Sequence, residues 1–404
     1  MNDELLLLEL KKRPCFYLYD EKAICTAAKR LRRDYPGVEF LYSVKANPAG
    51  RVLDAVFSQG FGADAASLRE VLLAQERGVP KDHIYYSAPG KTAAELRRSL
   101  GRCTVVADSF HELELLERAA AEAQKTVGIG LRLNPSFTFA GNGGVPSKFG
   151  VDEEAFFSGA EKLQTFRHIR VTGIHVHAKS QELDPKRLAD YYRRMFDLAV
   201  RVETALGAPL EFVNFGSGLG IAWSERDTPL DTAALGAVFS GLLTEYRTSH
   251  PKTRVFIETG RFVTGPYGVY VTQVVEKKRS RGVTFVLLHD TLNGFARPCV
   301  GRMVSAAAPN AAPCEPLYAG ADSFALRVLN GGRTETETVT LGGNLCTAAD
   351  IVAENLTLPK LEIGDGVVFT NAGCYSAVMS PMQFASLPPP AQLILTSDGQ
   401  IAEA

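Results

Sequence analysis

Leu41-Tyr42-Ser43-Val44-Lys45-Ala46-Asn47-Pro48 is an apolar run that turns polar at a lysine. Aromatic and β-branched residues bounded by Asn-Pro read as a buried strand that stops at Lys45. A lysine at the mouth of such a strand is partly desolvated. Desolvation lowers its pKa and makes the neutral amine available as a nucleophile. Taken alone, Lys45 would be a strand-end lysine snorkelling to solvent. Its context argues otherwise, because the same pattern recurs along the first two-thirds of the chain.

Eight apolar, strand-like runs can be read there: Val38–Val44, Gly60–Ala65, His83–Ser87, Thr104–Asp108, Gly128–Asn134, Val171–His177, Glu211–Gly216 and Arg254–Glu258. Stretches with helical spacing lie between most of them, among them Ser67–Arg77, Phe110–Ala123 and Pro185–Leu206. Alternating β and α elements predict a parallel sheet. Eight repeats favour a closed α/β barrel over the rival, a doubly wound open sheet. After Thr264 the pattern changes to strands separated by turns: Tyr267–Val275, Val283–Leu288, Ala325–Leu329, Thr334–Leu341, Gly366–Thr370 and Ala391–Leu395. The expected organisation is an eight-stranded (β/α) barrel over residues 20–264 and a mostly β domain from residues 1–19 and 265–404. Cys15–Tyr19 is expected to be a strand of the β domain, and the Ala- and Pro-rich stretch Val304–Pro316 an irregular loop.

In a parallel barrel the C-terminal ends of the strands share one mouth, where active sites are built. Here those ends carry Lys45, Asp64, Ser87, Asp108, Arg132, Asn134, His177, the loop Gly216-Ser217-Gly218-Leu219-Gly220, and Glu258 with Arg261. The glycine loop lets backbone N–H groups approach an anion, and after the seventh strand it falls where barrels commonly bind phosphate. Arg261 would add a charge-assisted contact to the same anion. A carboxylate such as Glu258, set against a pyridine nitrogen, keeps that nitrogen protonated and the ring a strong electron sink. His175 and His177 alternate on one strand and face one side, with His177 nearer the mouth.

Composition narrows the function classes. The 404 residues are 46% hydrophobic and 22% charged, with a formal net charge of −1. This is the profile of a soluble globular protein, with no basic surface for nucleic acid and no membrane-binding patch. The Leu5–Leu8 run is short and follows two acids, so a signal peptide is not expected. Seven scattered cysteines without a C-x-x-C pair fit a reducing, cytoplasmic setting and no metal site.

Taken together, the motifs resemble the fold-type III pyridoxal-phosphate decarboxylases, the family of diaminopimelate and ornithine decarboxylases. The resemblance runs from about Pro14 to about Leu395. It rests on Tyr42-Ser43-Val44-Lys45-Ala46-Asn47, His175-Val176-His177-Ala178-Lys179-Ser180-Gln181, Glu258-Thr259-Gly260-Arg261, Gly343-Asn344-Leu345-Cys346 with Asp350, and Gly373-Cys374-Tyr375. It implies a pyridoxal 5'-phosphate enzyme in which Lys45 forms the Schiff base, His177 stacks on the ring and Glu258 pairs with the ring nitrogen. Asp64, Arg261, Tyr375, Ser180, Gly216, Ser217, Gly218 and Gly220 would hold the phosphate or neighbouring groups. Glu70 matches an acidic position near the lysine. The resemblance also implies a homodimer with shared sites, in which Cys346 of the second chain protonates Cα after CO₂ leaves. Arg132, Lys179, Arg297, Thr347 and Asp350 would line the substrate side.

The departures bear on the substrate. Thr347 stands where diaminopimelate enzymes carry an acid for the distal amine, Lys179 replaces a glycine, and Gly301 replaces the tyrosine expected after Arg297-Pro298. The segments Gly143-Gly144-Val145-Pro146 to Phe149-Gly150, Leu345-Cys346-Thr347 and Met379-Ser380-Pro381 look closer to the branch acting on conjugated or carrier-bound amino acids, as in the butirosin pathway. The expected activity is α-decarboxylation of such a conjugate. The alternatives are meso-diaminopimelate decarboxylation, a pyridoxal-phosphate racemase, against which Glu258 argues, and a homologue that has lost its cofactor.

Overall fold

The computed structural model describes residues 2–139, 141–308 and 325–404. Eight parallel strands close into a barrel: β1 Glu39–Ser43, β2 Gly62–Ala65, β3 Ile84–Tyr86, β4 Thr104–Ala107, β5 Val127–Asn134, β6 Ile169–His175, β7 Phe212–Asn214 and β8 Arg254–Thr259. Closure comes where β8 pairs with β1, with Phe256 opposite Glu39. At that seam the Arg254 guanidinium donates to both Glu39 carboxylate oxygens, at 2.8 and 2.6 Å. The barrel is filled rather than hollow. Leu41, Tyr85, Val106, Phe212 and Phe256 pack inside it, with the Tyr85 ring 4.7 Å from that of Phe256.

Helices alternate with the strands, and short polar side chains start several of them. Ser67, Ser109 and Asp184 accept from backbone N–H groups of the helices Leu68–Glu76, Phe110–Glu122 and Pro185–Leu206. Thr92 and Glu95 form a reciprocal cap on Ala93–Ser99. Each cap fixes where a strand-to-helix loop ends, and so fixes what faces the mouth.

The second domain is mostly β. Cys15–Asp20 runs antiparallel to Gly268–Ser280 and parallel to Ala391–Leu395, so the N-terminal strand completes a sheet made by the C-terminal part of the chain. The leucine run forms a helix, Asp3–Leu10, whose Leu6 and Leu10 are buried against Phe16, Leu18 and Val271. Two strands escape the sequence pattern, Ile351–Pro359 and Ile401–Glu403. Ile351–Pro359 lies at a sheet edge and is largely unburied, so it lacks the apolar alternation that marks a half-buried strand. Arg297–Ala307 is a helix with Pro298 in its first turn, where a missing N–H costs nothing. Val304–Ala307 therefore belong to a helix, not to a loop, and 309–316 lie outside the described residues. No helix among the described residues is long and apolar enough to cross a membrane.

Candidate active site

Strand β1 ends one residue earlier than its apolar run suggests. Val44–Ala46 form a 3₁₀ turn that tips Lys45 into a cavity of about 480 Å³ at the barrel mouth, within the range of small-ligand sites. The Lys45 ammonium lies 3.1 Å from Asp64 Oδ2. Asp64 is fully buried at the end of β2 and accepts as well from Ser43 Oγ (2.9 Å) and Ser87 Oγ (2.6 Å). Burial alone would lower the lysine pKa, as its strand-end position suggests. The Asp64 carboxylate, followed by Tyr375 and Glu258, reverses the sign and holds the ammonium above its ordinary value. In this state Lys45 is a protonated amine with a dedicated counter-ion, which corrects the expectation of a neutral nucleophile.

Glu258 lies near the end of β8, the strand that pairs with β1. Asn214 Nδ2 donates to its Oε1 at 2.9 Å, and His175 Nε2 lies 3.2 Å from the same oxygen. Burial pushes its pKa up, but His175, then Lys45, outweigh burial and hold the carboxyl well below the ordinary range. The site therefore keeps a buried, ionised carboxylate. His177, two residues past His175, is fixed by two contacts. Its Nδ1 accepts from the Ser217 N–H at 3.2 Å, which puts the proton on Nε2, 3.0 Å from Ser180 Oγ. Burial lowers the imidazole pKa to about 3, so the ring is neutral.

The glycine loop is partly committed to the protein. Gly216 N–H donates to Asn214 Oδ1, Ser217 N–H to His177, and Gly220 N–H to the Glu182 carbonyl. Gly216 has a φ of +60°, and a Cβ there would collide with the Val176 carbonyl. Among the hydrogen bonds of the described residues, the N–H groups of Gly218 and Leu219 have no acceptor. Leu219 and Ser217 line the cavity. Arg261 is 5% exposed there, its guanidinium 4.9 Å from the Tyr375 ring. Tyr375 arrives from the β domain. Its N–H donates to Ala46 O (2.9 Å), and Asn47 Nδ2 donates to Gly373 O (2.9 Å), so the turn of the lysine and the turn of the tyrosine are stitched together. Gly373 permits this contact, since a Cβ there would meet the Thr264 carbonyl.

Of the residues expected on the substrate side, Arg132 and Lys179 line the cavity. Arg132 lies over the Phe149 ring at 4.4 Å and 3.7 Å from Asp108, and burial lowers its pKa. Lys179 is paired at 3.0 Å with Glu182, which is buried. Arg297 does not reach the cavity. It is fully buried, and its NH1 donates to Cys374 O at 3.0 Å. Asp350 is buried too, accepting from Leu292 N–H (2.9 Å), Leu345 N–H (3.0 Å) and the Thr291 hydroxyl, so it shapes the loop that carries Cys346 and Thr347. Cys346 is exposed and outside the cavity of its own chain. Glu70 accepts from Ala66 N–H at 2.7 Å, and burial pushes its carboxyl up to about 7. The sequence reading missed Asn214, Ser147, Phe149 and Trp223. Asn214 at the end of β7 was visible by the same strand-end rule as the others.

A lysine paired with a buried carboxylate, an ionised acid on the neighbouring strand, a neutral planar histidine and an anion cradle suit a phosphorylated pyridine aldehyde. Comparison with known families agrees. The family described as "Pyridoxal-dependent decarboxylase, pyridoxal binding domain" matches residues 21–265.

The chain belongs to the pyridoxal-dependent decarboxylases.

Its cofactor is pyridoxal 5'-phosphate, and it is a decarboxylase. The L-glutamyl-[BtrI acyl-carrier protein] decarboxylase of Niallia circulans is 30% identical over 388 residues, 94% of this chain and 88% of that one. The diaminopimelate decarboxylase of Thermoplasma acidophilum is 29% identical over 389 residues, 95% and 88% of the two chains. In fold the decarboxylase is similar to the diaminopimelate decarboxylase of Helicobacter pylori complexed with L-lysine, with a TM-score of 0.83 and 24% identity over 98% of this chain and 95% of that one.

Proposed function

We propose that this decarboxylase removes the α-carboxyl group of an amino acid whose distal end is conjugated to an anionic or carrier-borne group. One observation carries the reading. Among the described residues that line the cavity the one carboxylate is Glu258, while Asp64, Asp108 and Glu182 behind the wall are already paired with Lys45, Arg132 and Lys179. Such a wall offers no uncommitted carboxylate to a free distal ammonium, which would be desolvated without a partner. Thr347 adds no acid to the loop that follows Cys346. The similarity to a decarboxylase of a carrier-bound glutamyl group points the same way.

Pyridoxal phosphate, when bound, supplies a protonated ring that takes up the electron pair left by departing CO₂. The chain's own residues prepare for that. Asp64 neutralises Lys45 until the lysine is needed. Glu258 offers an ionised carboxylate to a ring nitrogen, and neutral His177 offers a flat face without added charge. Arg261, Tyr375 and the N–H groups of Gly218 and Leu219 suit the phosphate. Cys346 is the proton donor to Cα, acting from a second copy, because in its own chain it lies outside the cavity. Exposed Val378, Met379 and Phe384, on the segment that follows Tyr375, support a homodimer that covers them.

The second reading, meso-diaminopimelate decarboxylation, is favoured by the Thermoplasma relative. CO₂ release distinguishes them. Carrier-bound glutamate and citrate-conjugated amino acids are compared with free diaminopimelate, ornithine, lysine and arginine. A higher kcat/KM for an anionic conjugate is expected. A clear preference for diaminopimelate overturns the proposal in favour of the second reading.

A further inference from the structure

Trp223 is the single tryptophan of the chain and is 8% exposed. Two guanidinium groups lie over its ring, that of Arg261 at 5.4 Å and that of Arg297 at 5.0 Å. Arg261 also lies over the Tyr375 ring. Arg297 donates to the carbonyl of Cys374, the residue before Tyr375, and Asn371 Nδ2 donates to the Trp223 carbonyl at 3.1 Å. Tyr375 itself is held at a φ of +49°. These contacts join Arg297, Trp223, Arg261 and the 371–375 turn into one unit. Only Arg261 and Tyr375 of that unit face the cavity. Stacking on a ring compensates a desolvated guanidinium through the negative π face and leaves its in-plane N–H groups for an anion.

We propose that Trp223 and Arg297 are positioning residues that hold Arg261 and the Tyr375 turn ready for the cofactor phosphate without touching it. The inference rests on the reading that Arg261 meets that phosphate. It also gives Arg297 a role away from the substrate.

The test is equilibrium binding of pyridoxal 5'-phosphate and of pyridoxal, which lacks the phosphate, to the full-length enzyme stripped of cofactor. Arg261→Met should weaken binding of the phosphate ester and leave pyridoxal unchanged. If it does not, the phosphate reading itself fails. Trp223→Leu should weaken the ester about tenfold, the loss expected of a desolvated cation–π contact, again with pyridoxal unchanged. Trp223→Phe should recover most of that loss, and Trp223→Leu should add nothing to Arg261→Met. Arg297→Met should act in the same direction, and it carries the test if Trp223→Leu does not fold. Loss of ester binding in Arg261→Met but not in Trp223→Leu or Arg297→Met overturns the positioning role alone. So does an equal loss of both ligands, which marks a general disturbance of the site.

Discussion

Replacing Asp64 by Asn should lower the pKa of Lys45 by about 1.5 units. The two charges are 3.1 Å apart. Their interaction is about 1 kcal/mol in a water-like dielectric and about 5 kcal/mol at an effective dielectric of 20. The Lys45 side chain is 43% exposed, which screens the pair and favours the lower part of that range. Taking about 2 kcal/mol gives the shift stated, at 1.36 kcal/mol per unit. Asn keeps the shape of Asp64, with its oxygen accepting from one of the Ser43 and Ser87 hydroxyls and its Nδ2 donating to the other, so the loss is chiefly one of charge. The assay is trinitrobenzenesulfonate labelling of the cofactor-free protein across pH, with modification at Lys45 followed by mass spectrometry. The labelling midpoint should move down in Asp64→Asn and stay in place in Ser87→Ala, which removes a donor but no charge. An unchanged midpoint in Asp64→Asn would show that this carboxylate does not set the charge state of the lysine.

Three further outcomes follow from the same geometry. Glu258→Gln should retain cofactor but lose about a hundredfold in turnover, roughly 3 kcal/mol for a preorganised buried charge; near-normal turnover would mean that this carboxylate does not serve the ring nitrogen. Because His177 is held neutral to about pH 3 while an unfolded histidine protonates near 6.5, the unfolded chain takes up the extra proton as pH falls. Wild-type stability should then drop relative to His177→Gln by up to about 1.4 kcal/mol per pH unit between those values. The readout is the difference between the two unfolding curves, since Glu70, with its pKa raised to about 7, contributes the opposite slope from about pH 4.5 upward in both proteins. Finally, mixing inactive Lys45→Ala with crippled Cys346→Ala should restore part of the activity, because one site of the mixed dimer keeps both groups; no recovery, with subunit exchange verified by mass spectrometry, would argue that the site is not shared.

The barrel was legible because its cause is local. Each strand is a short apolar run and each intervening helix an amphipathic one, so the alternation from Val38 to Glu258 specifies eight βα units before any contact is known. Most of the polar groups gathered at the mouth were legible for the same reason, since a parallel barrel sends every strand's C-terminal end to one side. Strand Ile351–Pro359 was not, because an exposed edge strand is under little pressure to alternate. What the sequence could not decide depends on distances between residues far apart in the chain. Lys45 looked like a lysine made neutral by burial, but the sign of its shift depends on Asp64 standing 3.1 Å away on the neighbouring strand. Arg297 looked like a substrate ligand, but whether it meets the cavity or the back of Trp223 is settled by how the β domain packs on the barrel. Periodicity reports which way a side chain faces. Charge state and reach depend on what it faces, and only the closed barrel with its β domain supplies that.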